Sequence, residues 1–96
     1  MSRDEVLRRL AAFKQANGRK YLIVKLGVFG SAARDRQADR SDVDVVVELT
    51  EPDLFAVVGI KQDLEELLRC PVDVVRYRPS MNAFLKERID REAVYV

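Results

Sequence analysis

The sequence predicts an α+β domain in which a small mixed β-sheet carries helices packed on one face. Three observations lead there. Ninety-six residues leave room for a single domain, expected to span 1–96, and not for a catalytic domain with a separate substrate domain. The segment from Asp42 to Leu49 alternates as a strand does, with Val43, Val45, Val47 and Leu49 on one face and Asp42, Asp44, Val46 and Glu48 on the other. Around it, segments of helical and of strand character succeed one another as helix and strand, four times over.

Arg3 to Gln15 reads as an amphipathic helix, with Val6, Leu7, Leu10 and Phe13 at helical spacing, and Asn17-Gly18 is expected to end it. Tyr21 to Phe29 is rich in β-formers. Gly30-Ser31 breaks that pattern, and Ser31 to Arg34 is expected to open a short helix before a charged loop reaching Ser41. After the strand from Asp42 to Leu49, Thr50 with Asp53 around Pro52 resembles a helix N-terminus. That helix continues through Leu54, Val57, Val58, Leu64, Leu67 and Leu68, with Gly59 costing about 1 kcal/mol relative to Ala. Val72 to Tyr77 is a third strand. Pro79-Ser80 begins a last helix with Met81, Phe84, Leu85 and Ile89 on one side, and Ala93 to Val96 forms a short terminal strand.

Composition narrows the chemistry. Seventeen Lys and Arg against sixteen Asp and Glu give a net charge of +1, which argues against extensive nucleic-acid binding through a broad basic surface. No histidine is present, so the commonest general base and metal imidazole are both missing. The single cysteine, Cys70, forms no internal disulfide and is read as a small buried apolar residue; it fits a reducing compartment. No apolar run approaches the roughly 18 residues of a membrane span, and the N-terminus lacks a signal-peptide core. A soluble, cytoplasmic chain without membrane contact is expected, and any metal it holds is expected on carboxylates, favouring Mg²⁺ or Mn²⁺ over zinc.

Three features carry the chemistry. Gly30-Ser31 follows a strand and precedes a turn, a place where backbone N–H groups bind phosphate and glycine permits close approach. Asp42 and Asp44 stand at i and i+2 of a strand, on the same face and about 7 Å apart along the backbone. Asp73 interrupts an apolar strand, where a carboxylate is costly to bury unless paired or bound to a metal. If Val72 and Val74 face the helices, parity puts Asp73 on the open face with Asp42 and Asp44. Three carboxylates beside a phosphate-binding turn form a two-metal phosphoryl-transfer site, which needs no histidine. Taken singly, each has a plainer reading: a structural turn, a loop-end cap at Ser41-Asp42, and a solvated strand Asp.

Gly30-Ser31, ten residues from Ala32 to Ser41, and then Asp42-Val43-Asp44, with Asp73 on a later strand, resemble the polymerase-β-type nucleotidyltransferase superfamily. The short length and the ending Arg88-Ile-Asp-Arg-Glu-Ala-Val-Tyr95 are similar to its minimal members, the MNT antitoxins of HEPN–MNT toxin–antitoxin pairs. The resemblance implies a polymerase-β-like fold and Mg²⁺-dependent transfer of AMP from ATP to a tyrosine of a HEPN ribonuclease toxin, held in a hetero-oligomer. It implies that Gly30, Ser31 and Arg34 bind the nucleotide, and that Asp42, Asp44 and Asp73 hold the metals, with Asp73 acting on the acceptor hydroxyl. Ala32 stands where relatives often carry Arg, and Asp35 where they often carry Gly; Arg36 and Arg40 read as a solvated loop. These departures support the alternative expectation, an antitoxin that neutralises the HEPN toxin by binding alone.

Overall fold

The computed structural model describes residues 1–33 and 42–96. Among these the order is α1 (Arg3–Tyr21), β1 (Ile23–Phe29), β2 (Val43–Leu49), α2 (Leu54–Leu68), β3 (Val72–Arg76), α3 (Ala83–Glu92) and β4 (Val94–Tyr95). The sheet runs β3-β2-β1-β4, with β2 and β3 parallel and the other pairs antiparallel, so the α+β class and the mixed sheet are as expected. The expected short helix after Ser31 is a turn over residues 30–33, and Arg34 lies outside the described residues.

Helix α1 is longer than Asn17-Gly18 led us to expect. Ser2 caps it by accepting from the Glu5 N–H, and Asp4 and Glu5 at its start and Arg19 and Lys20 at its end complement the helix dipole. Asn17 does not cap; its side-chain amide donates to the Phe13 carbonyl one turn back. The extra turn is held by Tyr21, whose ring stacks on Phe13 at 6.3 Å and whose hydroxyl donates to Asp63 Oδ2 at 2.6 Å. Tertiary packing thus outweighs a glycine whose intrinsic helix cost is only about 1 kcal/mol. Leu22, in the left-handed region at φ 57°, ends the helix. The same tyrosine accounts for Gly59 in α2, since a methyl group there would come 2.9 Å from the Tyr21 hydroxyl.

Asp53, not Thr50, caps α2, its Oδ1 accepting from the N–H groups of Phe55 and Ala56. Thr50 instead joins the end of the β1–β2 pair, its N–H donating to the Leu22 carbonyl at 2.9 Å. Within β2 the alternation is as read from the sequence. Val43, Val45, Val47 and Leu49 are buried with Val6, Leu10 and Phe13 of α1 and Ala56, Ile60, Leu64 and Leu68 of α2.

The expectation that helices cover only one face needs correction. Val46 and Phe29, which point away from α1 and α2, are buried in a second, smaller cluster with Met81 and Ile89, against which Leu85 packs. Helix α3 therefore covers part of the opposite face. It begins at Ala83 with Asn82 as its cap, so Met81 packs from the loop before it, and Phe84 stands out of the contact at 85% exposure. Among the described residues no helix is long and apolar enough to cross a membrane.

Candidate phosphoryl-transfer site

The register of the parallel pair builds the site. The Val43 N–H donates to the Pro71 carbonyl at 3.0 Å, and the Val72 N–H donates to Glu65 Oε2 of α2 at 3.0 Å, which seats the start of β3 against β2. Val43 then aligns with Val72, and Asp44 with Asp73. Val72 and Val74 both pack on the main core, so Asp73 takes the opposite face, which it shares with Asp44. Asp42, just ahead of β2, and Asp73 are exposed, while Asp44 is half-buried. The part of this face covered by α3 begins at Phe29 and Val46, leaving the Asp42–Asp44 end of β2 open.

Gly30 closes the other side. It follows β1, whose last residue, Phe29, pairs with Asp44, and it holds φ +69°, a conformation that favours glycine. A methyl group at Gly30 would come 2.5 Å from Asp44 Oδ2 and 3.0 Å from Arg88 Nη2. The turn thus lies directly against the Asp44 carboxylate. Ser31 is half-buried in this turn, and Ala32 and Ala33 are buried in the main core. Ala32 therefore packs inward, away from the carboxylates. Ser41, Asp35, Arg36 and Arg40 lie outside the described residues, as Arg34 does.

Burial pushes the Asp44 carboxyl above its ordinary value, and the charge of Asp73 raises it further; Arg88 opposes this, and Asp42 and Glu92 add smaller upward contributions. The site thus concentrates negative charge on oxygen donors alone, the ligand type that hard cations such as Mg²⁺ prefer. Among the described residues no three such side chains stand close enough to grip one ion. A cation beside Asp44 would offset the repulsion from Asp73 and Asp42 that raises its carboxyl.

A stability prediction follows with a definite sign. A raised carboxyl pKa means that the folded state gains protons more readily than the unfolded chain, so this group's favourable contribution is present at low pH and is lost as pH rises through the folded value. Asp44→Asn is expected to melt at a higher temperature than the wild type at pH 7 in EDTA, with the gain shrinking towards pH 4. A gain that does not depend on pH contradicts this origin. Gly30→Ala is expected to be destabilised by about 1–3 kcal/mol, the cost of a left-handed non-glycine residue. Thermal melts check it; an unchanged melting temperature contradicts it.

Two residues of the site were not singled out from the sequence. Arg88 and Glu92, both on α3, face the carboxylates: Arg88 lies over the Phe29 ring at 5.5 Å and its Nε donates to Glu92 Oε2 at 2.9 Å. Their four-residue spacing is readable, but their placement depends on α3 packing over the second sheet face. Cys70 is half-buried against the main core, and burial pushes its thiol up, away from nucleophilic use.

Comparison with known proteins identifies the family and the fold. The profile of the nucleotidyltransferase domain family matches residues 10–96. The protein adenylyltransferase MntA of Thermococcus cleftensis is 33% identical, over 97% of this chain and 94% of its own. A candidate protein adenylyltransferase of Methanocaldococcus jannaschii is 38% identical, over 100% and 99%. A solved structure of a candidate minimal nucleotidyltransferase superposes with a TM-score of 0.78 at 32% identity, covering 98% of this chain and 95% of that one. A chain from a toxin–antitoxin crystal structure with AMP-PNP shares the fold, with a TM-score of 0.76 at 22% identity over 92% of this chain and 69% of that one.

Proposed function

Because the chain belongs to the nucleotidyltransferase domain family, we propose that it transfers AMP from ATP to a tyrosine hydroxyl of a HEPN ribonuclease toxin and thereby acts as an antitoxin. The observation that carries the reading is the alignment of Asp44 with Asp73 on one sheet face, against the positive-φ turn at Gly30. Adenylyltransfer is supported by the relatives of 33% and 38% identity that bear that activity in their names. The HEPN partner is supported by a fold neighbour from the solved structure of a tri-AMPylated Shewanella oneidensis HEPN toxin in complex with MNT antitoxin.

In this reading Gly30 and Ser31 present backbone N–H groups and a hydroxyl to the β- and γ-phosphates, and Arg34, three residues on in the sequence, adds charge. Asp42, Asp44 and Asp73 would hold Mg²⁺, which supplies neutralisation of the triphosphate and of the leaving pyrophosphate. Asp73, exposed on the strand beside Asp44, accepts the proton of the acceptor hydroxyl. The tyrosine oxygen forms its bond to the α-phosphorus as the bond to pyrophosphate breaks. The acceptor arrives on the partner, which suits one small domain of near-neutral charge acting in the cytoplasm.

The test incubates the purified chain with Mg²⁺, a cognate HEPN protein and ATP labelled at either the α- or the γ-phosphorus. Label from the α position and none from the γ position is expected on the partner, dependent on Mg²⁺. An unlabelled complex in which the ribonuclease is nonetheless inhibited overturns the enzymatic reading in favour of neutralisation by binding.

A further inference from the structure

Arg88 has no task in the reaction described above, yet its guanidinium stands at the turn where the phosphates are expected. Its Nη2 lies 3.0 Å from the position of a methyl group on Gly30, a point that lies 2.5 Å from Asp44 Oδ2. Two contacts fix its direction. The guanidinium lies over the Phe29 ring at 5.5 Å, and Nε donates to Glu92 Oε2 at 2.9 Å. Phe29 is itself buried between β2 and α3, and Glu92 is only 12% exposed, so both holds rest on packed parts of the molecule. With Nε engaged, the end of the fork carrying Nη2 is directed at Gly30 rather than along α3.

This differs from an ordinary solvated helix arginine. A guanidinium is a planar, permanently charged fork that pairs with two phosphate oxygens at once, and an arginine whose rotamer is already fixed loses less entropy when it does so. Its charge also answers the surplus of carboxylates around Asp44, so a negatively charged ligand would meet a local cation at the turn.

We propose that Arg88 binds the β- and γ-phosphates of the nucleotide at the Gly30-Ser31 turn, with Glu92 and Phe29 as the residues that position it. The inference rests on the nucleotidyltransferase reading and adds to it a phosphate-binding residue from α3. A purely structural Arg88, serving as counter-charge to Asp44 and Glu92, would affect folding without distinguishing ligands by their phosphate count.

The test measures the affinities of Mg²⁺-ATP and of AMP for the wild type, Arg88→Met and Arg88→Lys, alongside thermal melts. Arg88→Met is expected to weaken ATP at least tenfold and AMP less than twofold, with Arg88→Lys between it and the wild type because a lysine keeps the charge and loses the fork. ATP affinity within twofold of the wild type in Arg88→Met overturns the inference, as does an equal loss for ATP and AMP. Should Arg88→Met fail to fold, Glu92→Gln, which loosens the hold on Nε, is expected to give a smaller loss confined to ATP; equal affinities there overturn the inference too. A wild-type chain that binds no ATP would overturn the nucleotidyltransferase reading itself, whereas ATP binding that ignores Arg88 removes only the role given to Arg88.

Discussion

Replacing Asp42 and Asp44 together by Asn is expected to reduce AMP transfer about a thousandfold or more. The two carboxylates are the principal oxygen ligands proposed for the metals, and losing ~4 kcal/mol of charge stabilisation in the transition state corresponds to about that factor. The chain should nonetheless fold, because Asp42 is exposed and the ionised Asp44 is disfavoured by burial and by its neighbours. In cells the double variant, at equal expression, should no longer neutralise a HEPN toxin. Protection that survives the double change, together with unaltered complex formation, contradicts catalysis as the basis of antitoxicity. The same experiment without added metal is informative through stability alone, where the variant should melt higher than the wild type.

The second large effect is structural and reaches the site through α3. Ile89 is fully buried and joins Phe29, Val46 and Met81 in the small cluster that fixes α3 to the sheet. Ile89→Ala is expected to cost about 2–5 kcal/mol, the range for truncating a buried Ile without full collapse of the space left behind. For a domain of this size each kcal/mol lowers the melting temperature by roughly 4–8 °C, so a drop of about 10 °C or more is expected. ATP affinity should fall with it, since Arg88 is carried on the same turn of α3. Phe84→Ser, five residues earlier and solvent-facing, is expected to stay within about 0.5 kcal/mol of the wild type. A melting temperature for Ile89→Ala within about 2 °C of the wild type contradicts the anchoring role.

What the sequence revealed of this molecule depended on which residues obey local rules. Val43, Val45, Val47 and Leu49 declared their face because a strand's period of two is unambiguous, and that parity carried Asp44 and Asp73 to a common side. The capping of α2 was legible to within a few residues, because Asp53 beside Pro52 is a local signal. Local rules failed where distant contacts decide. Asn17-Gly18 carries a stop signal, but Tyr21, held by Phe13 and Asp63, extends the helix past it. Phe84 shares the apolar spacing of Leu85 and Ile89, yet it faces solvent because α3 touches the sheet with a narrow stripe only. Arg88 and Glu92 were missed for the same reason. Their relation to Asp44 exists only once Val46 and Phe29, on the second sheet face, have drawn α3 over them.

The most direct test of the central claim is the intact mass of a HEPN toxin co-expressed with this chain, compared with the same toxin co-expressed with the Asp42→Asn/Asp44→Asn variant. AMP transfer predicts one or more AMP-sized increments on the toxin in the first case, on a tyrosine-containing peptide, and the unmodified mass in the second. A toxin of unmodified mass that is nevertheless silenced by the wild-type chain would contradict the account.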